Sequence, residues 1–153
     1  MKIKIISIGN NPPKWSKDIL LQFTSKFEDH FNIELIEIKS EKSIKPIKQK
    51  KIEEAQKILK FINNDYVISL DERGTTCSSI ALSKKLSNWM QNFPKLAFII
   101  GGADGLDNTI IENSNWVWSL SSLTLPHNLA KVILVEQLYR ASTILNNHPY
   151  HRE

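Results

Sequence analysis

The feature of this sequence that most restricts its fold is a regular alternation of two kinds of apolar segment. Five short runs are rich in β-branched and aromatic residues and are predicted to be strands. They cover residues 3–8, 33–38, 66–70, 96–100 and 116–120. Between them, apolar residues recur at helical spacing within residues 15–27, 52–62, 82–93 and 127–145. This alternation predicts an α/β domain with a mainly parallel sheet flanked by helices.

Length and composition agree with one globular domain spanning residues 1–153. No apolar run reaches the length of a membrane span, and no signal-peptide cleavage site follows the amino terminus, which predicts a cytoplasmic protein. The single cysteine, Cys77, cannot form an internal disulfide and therefore fits a reducing compartment. We interpret it as a small buried hydrophobic residue.

Positive charge is concentrated in residues 39–60, which hold eight lysines and three glutamates in a chain of net charge +4. Two interpretations remain open. Runs of charge usually form the solvated face of a helix, but lysines without matching acids also favour a polyanion such as RNA. Residues 40–46, which precede the second predicted helix, are expected to form a mobile loop.

Three of the predicted strands are followed by small or polar residues. Asp71 and Gly74 follow the third strand, residues 101–105 carry three glycines after the fourth, and residues 121–127 follow the fifth. Ligands of parallel α/β sheets bind beyond the carboxyl ends of the strands, and glycine lets the backbone approach a ligand closely. The sequence therefore predicts a pocket built largely from main chain.

Several common sites are not supported by the motifs. The sequence has no dinucleotide-binding or triphosphate-binding glycine motif and no nucleophilic serine elbow. His148 and His151 have no acidic or cysteine neighbours that would complete a metal site, so no metal is expected.

The last predicted helix carries two apolar stripes where a surface helix needs one. One stripe contains Ala130, Leu134, Leu138, Ala141 and Leu145, and the other contains Val132, Val135 and Tyr139. A second copy of the chain could cover the extra stripe. The alternative is a central helix buried within one chain.

The segments "SLDERG", "FIIGGADGL" and "WSLSSLTLPHNLAKVILVEQLYRASTILNNHPYHRE" occur in this order. Together they resemble the bacterial ribosomal RNA large subunit methyltransferase H (RlmH) family along the whole chain. The resemblance implies a SPOUT-class homodimer with a deep trefoil knot, the knot and the cofactor site lying roughly in residues 66–153. It also implies methyl transfer from S-adenosylmethionine to N3 of a pseudouridine in 23S rRNA of the assembled ribosome, with no membrane partner. Methylation of another RNA such as tRNA, or a non-catalytic RNA- or ribosome-binding module, remains an alternative.

The resemblance also implies which residues form the site. The expected cofactor positions coincide with the three strand ends and are Leu70, Gly101, Gly102, Leu120, Ser121, Ser122, Leu123, Thr124 and Leu125. In a dimer, the carboxyl-terminal tail of one chain would lie over the cofactor of the other.

The expected catalytic residues divide into the tail and the last helix. In the tail, Tyr150 could stack on the target base, His151 could act as a base, and Arg152 could hold a phosphate or the uridine anion. On the helix, Arg140 could bind RNA or a carboxylate such as Glu136. His127 could be a neutral base or a structural contact at the helix start, so the identity of the general base stays open.

Overall fold

The computed structural model describes residues 1–40 and 44–152. The five strands are β1 (Lys2–Ile8), β2 (Asn32–Ile38), β3 (Tyr66–Thr75), β4 (Lys95–Ile100) and β5 (Trp116–Trp118). The helices are α1 (Lys14–Thr24), α2 (Ile47–Leu59), α3 (Ser79–Asn92), α4 (Asn108–Glu112) and α5 (His127–Leu145). No helix in these ranges is long and apolar enough to cross a membrane.

The strands form one sheet in the order β2-β1-β4-β3-β5, and every pairing between them is parallel. This confirms the parallel α/β sheet that the alternation predicted. The central strands β1 and β4 are apolar on both faces because helices cover both sides of the sheet. From Leu96 to Ile100, every residue of β4 is buried.

Successive residues of β1 point to two different cores. Ile3 and Ile5 belong to a cluster formed with α1, α3 and α5, whereas Ile6 and Ile8 belong to a cluster formed with α2 and α4. The parallel strands therefore all end at the same edge of the sheet, between the two helical layers. That edge is where the sequence predicted a pocket.

Most of both apolar stripes of α5 is covered within one chain. Leu134, Leu138 and Val135 are fully buried, because α5 packs between α3 and α1. Phe23 and Phe27, in α1 and just after it, contact the ring of Tyr139 with centroids 5.8 and 5.6 Å away. Ala130, Val132 and Leu145 are only partly buried, so the helix is not wholly buried, and cover by a second chain stays a prediction.

Several element boundaries differ from prediction. β3 continues past residue 70 because residues 71–75 stay beside β5, and the amide of Ser119 donates to the carbonyl of Thr75 at 2.9 Å. α4 was not predicted, since five residues are too short to show helical periodicity. Of the predicted loop at 40–46, residues 41–43 lie outside the described residues. The trefoil knot and the extent of the domain stay predictions.

Candidate functional site

A pocket of about 820 Å³ opens at the carboxyl ends of β3, β4 and β5, beside the first turn of α5. Its size is that of a typical cofactor or ligand site. Eight of the nine predicted cofactor positions line it, namely Leu70, Gly101, Gly102, Leu120, Ser121, Leu123, Thr124 and Leu125. Ser122 is not among the described residues that line it.

The loop after β4 forms one wall of the pocket with its main chain. The amide of Gly105 donates to the carbonyl of Gly102 at 3.1 Å, which folds the loop back on itself. A Cβ atom at Gly101 would lie 2.8 Å from the carbonyl carbon of Gly105, closer than any side chain tolerates. Glycine is therefore required at Gly101, and backbone amides and carbonyls face the pocket.

Carboxylates surround the mouth of the pocket. Arg73 binds Asp71 through two hydrogen bonds, of 2.8 and 2.9 Å, and these bonds hold the pKa of Asp71 below its usual value. The hydroxyl of Thr124 donates to Glu72 at 2.9 Å, which joins the β3 side of the mouth to the loop before α5. Asp104 is a further lining acid.

This set of groups fits S-adenosylmethionine. Leucine side chains offer an apolar slot for an adenine ring, and main-chain groups offer it hydrogen bonds. Three acids and two cations line the pocket, and Arg73 is paired with Asp71, so Glu72 and Asp104 are the acids left to face the sulfonium or ammonium charge of a ligand. Among the described residues, no group of three or more His, Cys, Asp or Glu side chains could hold a metal ion.

His127 is the one predicted catalytic residue that lines the pocket. It occupies the first position of α5, directly after Pro126. Its Nε2 atom is buried, and none of the described residues forms a hydrogen bond with it. The edge of the ring that carries Nε2 and Cδ2 lies against Gly9.

The carboxyl-terminal tail turns back along α5 because of how the helix ends. Asn147 adopts a left-handed conformation with φ of 53°. The amide of His148 donates to the carbonyl of Thr143, and that of Asn147 donates to Ile144, which is the hydrogen-bond pattern of a Schellman motif. The "NNHP" sequence is typical of such an end, since asparagine tolerates this conformation and proline cannot continue a helix.

The tail is fixed by a cluster around Glu136, one turn before Arg140. Arg140 and the hydroxyl of Tyr150 donate to the same carboxylate oxygen of Glu136, at 2.6 and 3.0 Å. The guanidinium also lies over the ring of Tyr150, 4.8 Å from its centroid, and 3.4 Å from Nδ1 of His151. Of the two predicted roles of Arg140, pairing with Glu136 is confirmed.

Burial of Tyr150 and its hydrogen bond to Glu136 raise the pKa of its hydroxyl. Arg152 is exposed, and Glu153 lies outside the described residues. The tail thus packs as a cluster of aromatic and charged groups around Glu136, with Arg152 exposed beyond it.

One chain does not bring the tail to its own pocket. Arg140 lies thirteen residues after His127 on the same helix, which is about 20 Å along the axis. None of Arg140, Tyr150, His151 and Arg152 is among the described residues that line the pocket. The predicted catalytic residues therefore form two separate groups in the chain.

The comparisons with known proteins bear on the whole chain. Residues 1–151 match the family described as "Predicted SPOUT methyltransferase". The chain belongs to the SPOUT methyltransferase family. Proteins named "Ribosomal RNA large subunit methyltransferase H" are similar to it over essentially their full length. The one from Polynucleobacter asymbioticus is 44% identical over 154 residues, with all of both chains covered. The one from Coxiella burnetii is 40% identical over 155 residues, covering 99% of this chain and all of the relative.

A solved structure shows a similar fold at much lower identity. It is described as the structure of a probable methylase family protein from Haemophilus influenzae, and its TM-score is 0.59 at 17% identity. The match covers 99% of this chain and 70% of the other. At this identity the likeness concerns the fold alone.

The sequence missed some lining residues of this SPOUT methyltransferase. Lys51 lies on α2, outside the predicted 66–153 region, and Leu106 lies beyond the glycine loop. Lys51 is one of the lysines of residues 39–60, whose contact with RNA stays a prediction. Cys77 is only half-buried, and burial raises the pKa of its thiol, which agrees with an unreactive residue.

Proposed function

We propose that this SPOUT methyltransferase transfers a methyl group from S-adenosylmethionine to N3 of a pseudouridine in 23S rRNA of the assembled ribosome, in the cytoplasm. The observation that carries the proposal is the main-chain pocket at the ends of β3, β4 and β5, lined by eight of the nine expected cofactor positions. The names of the full-length relatives support ribosomal RNA of the large subunit as the substrate.

The pocket residues bind and orient the cofactor, which supplies an electrophilic methyl group on its sulfonium. Leu70, Leu120 and Leu125 form the apolar slot, and the backbone at Gly101 and Gly102 offers hydrogen bonds. The carboxylates at the mouth stabilise the positive charge of the bound cofactor. Such positioning accounts for much of the rate of a displacement reaction.

The substrate nitrogen must lose its proton before or during the transfer, because the N3–H of a pseudouridine is a weak acid. His127 at the pocket wall and His151 in the tail are the two candidates to accept it. Arg152 holds a phosphate or the uridine anion, and Tyr150 stacks on the base.

We infer that the enzyme is a homodimer in which the tail of each chain covers the pocket of the other. The separation of about 20 Å along α5 is the main support, since the pocket and the tail do not meet within one chain. Large apolar side chains at the same edge of the sheet are also exposed to solvent. Leu123 at the pocket is 71% exposed, and Trp15 and Leu129, in the first turns of α1 and α5, are 48% and 38% exposed.

Calorimetric titration with S-adenosylmethionine, followed by methylation assays, tests the function. We expect binding to the free protein and transfer of one methyl group to assembled ribosomes, located by mass mapping of the rRNA at a pseudouridine. Absence of binding at millimolar cofactor would instead indicate a non-catalytic module. Transfer to tRNA and not to ribosomes would leave the methyltransferase activity in place but change the substrate.

A further inference from the structure

We propose that Lys51 binds the carboxylate of the amino-acid part of S-adenosylmethionine, and so selects ligands that carry this group. The proposal rests on the proposed function, because it concerns the ligand of the same pocket. It assigns a role to a cation of α2, an element that holds none of the expected cofactor positions.

The spacing of residues on α2 brings Lys51 to the pocket. Ala55 and Ile58 are buried and share one face of the helix, and Lys51 lies on that face one turn before Ala55. Lys51 is half-buried, since a lysine can lay its methylene stem along apolar surface while its ammonium group reaches a wet cavity. The buried face of α2 therefore changes from apolar to cationic at the point where it lines the pocket.

Lys51 differs from the other cation of the pocket in having no bonded acid. The lining holds two such side chains, Lys51 and Arg73. Arg73 donates both of its hydrogen bonds, of 2.8 and 2.9 Å, to Asp71. Among residues 1–40 and 44–152, no hydrogen bond or ion pair includes Lys51. Its charge is therefore available to an anionic group of a ligand.

The two acids nearest in charge to Lys51 are already bonded to other groups. Asp107 accepts from the amide and the hydroxyl of Thr109, at 3.0 and 2.6 Å, and so caps α4. The bond from Arg73 is the main cause that lowers the pKa of Asp71, and the bond from the Thr109 hydroxyl is the main cause at Asp107. The charge of Lys51 lowers the pKa of both acids to a smaller extent. Lys51 thus faces these acids without bonding to either.

The charges that remain in the pocket match those of the amino-acid part of the cofactor. S-adenosylmethionine carries a sulfonium, an ammonium and a single anionic group, its carboxylate. Glu72 and Asp104 are the lining acids that remain for the two positive charges, and Lys51 is the lining cation that remains for the carboxylate. An ammonium that donates to a carboxylate forms a charge-assisted hydrogen bond, which is stronger than a neutral one. Lys51 therefore distinguishes ligands by the presence of a carboxylate.

The test compares two ligands by calorimetric titration of the full-length protein, at about pH 8, where a histidine is mostly neutral. One ligand is S-adenosylmethionine, and the other is its decarboxylated form, which keeps the sulfonium and the ammonium and lacks only the carboxylate. The measured quantity is the ratio of their two Kd values. We expect Lys51→Met to lower the preference for S-adenosylmethionine by about fivefold, because only the ligand with a carboxylate loses a partner. An unchanged ratio in Lys51→Met would overturn the proposal.

Lys48→Met is the matched control. Lys48 lies on α2 one turn before Lys51, is exposed, and is not among the described residues that line the pocket. Its charge also acts on Asp107, so its removal changes the field near the pocket without removing a cation from the lining. We expect the wild-type ratio in this variant. A fall as large as that in Lys51→Met would show a general effect of charge and would overturn the proposal.

The decarboxylated ligand also reports on the fold of the variant. Methionine suits the buried face of α2, so we expect Lys51→Met to bind this ligand at least as tightly as the wild type does. Should Lys51→Met not fold, Lys51→Gln replaces it, with the same expected ratio and the same overturning result.

The outcomes also separate this proposal from the proposed function. If the wild type does not bind S-adenosylmethionine at millimolar concentration, both fail together. If every variant binds it with the wild-type ratio, only the role of Lys51 is overturned. A Lys51→Met enzyme with the wild-type ratio and a higher KM for ribosomes would assign Lys51 to RNA, which would also overturn the proposal.

Discussion

The two ends of α5 are built from different kinds of group. At its amino-terminal end, around His127, the pocket is formed by main chain, leucines and hydroxyls, with charged side chains only at its mouth. At its carboxyl-terminal end, Glu136, Arg140 and Tyr150 form a cluster of charged and aromatic side chains. We propose that the first end holds the cofactor and that the second, through exposed Arg152, contacts the RNA. Each end therefore has half of what a methyl transfer needs, and the predictions below test whether two chains combine them.

The largest effect is expected from removing the tail. A chain truncated after His148 should keep its fold and its affinity for S-adenosylmethionine, because the pocket lining contains no tail residue. Methyl transfer to ribosomes should fall by about 10³-fold or more, since several groups that contact the substrate are lost together. Single-turnover assays and calorimetry measure the two quantities. Normal turnover by the truncated enzyme would contradict the division of roles between the two ends.

Mixing two defective chains decides whether the tail acts on its own pocket or on that of a partner. The truncated chain has an intact pocket, and a Gly101→Val chain has an intact tail. If the tail acts on the partner, a mixed dimer contains one complete site, and activity returns when the two are refolded together. If the tail acts on its own chain, no mixture is active.

Gly101→Val alone should affect the pocket end and leave the tail unchanged. The added side chain conflicts with the backbone of Gly105, 2.8 Å from its Cβ position, so the loop must move. We expect the Kd for S-adenosylmethionine to rise by about tenfold or more, about 1.4 kcal/mol. Ala103→Val is the control, because Ala103 lies in the same loop, is exposed and has no positive φ. Equal affinities in both variants would show that this wall does not contact the cofactor.

Glu136→Ala tests the tail end. It leaves Arg140 and the Tyr150 hydroxyl without their shared acceptor, and we expect the free energy of unfolding to fall by about 1–2 kcal/mol. Denaturant unfolding measures this. Glu28→Ala is the control, since Glu28 accepts from Asn146 at the exposed end of the same helix, and a change within about 0.5 kcal/mol is expected there. Similar losses in both variants would show that the Glu136 cluster is no stronger than a surface contact.

The smallest effect concerns pH. Burial first, and the hydrogen bond to Glu136 second, raise the pKa of Tyr150 above its ordinary value. A hydroxyl whose folded pKa is raised stabilises the fold fully below the unfolded pKa, and this stabilisation is lost as the pH rises through the folded value. As the pH rises above about 10, the free energy of unfolding should therefore fall more for the wild type than for Tyr150→Phe. Parallel curves for the two proteins would contradict it.

The sequence was sufficient for the elements and for most of the pocket. Strand and helix periods differ strongly, so all five strands and four of the five helices could be placed. Eight of the nine expected cofactor positions line the pocket because parallel strands must end at one edge, whichever order they take in the sheet. The sequence could not give Lys51, because no local pattern shows that the first turns of α2 reach that edge.

The sequence also could not distinguish the two interpretations of α5. Its two stripes show that two faces are apolar, and nothing in their spacing says whether a second chain or the same chain covers them. Phe23, Phe27 and α3 cover most of both stripes within one chain, and Ala130, Val132 and Leu145 stay partly exposed. The apolar spacing also does not predict how α5 ends, where left-handed Asn147 directs the tail back along the helix.

By itself, then, the sequence determined the class of fold, the edge of the sheet that holds the pocket, and the family resemblance that the comparisons confirm. These depend on periodicity and on short contiguous motifs, which are local properties. Only the tertiary structure decided that the tail lies far from its own pocket, that Glu37 and His127 each lie against Gly9, and that Lys131 pairs with Glu37. Such meetings join residues from three separate elements, and their geometry is set by the packing of helices on the sheet.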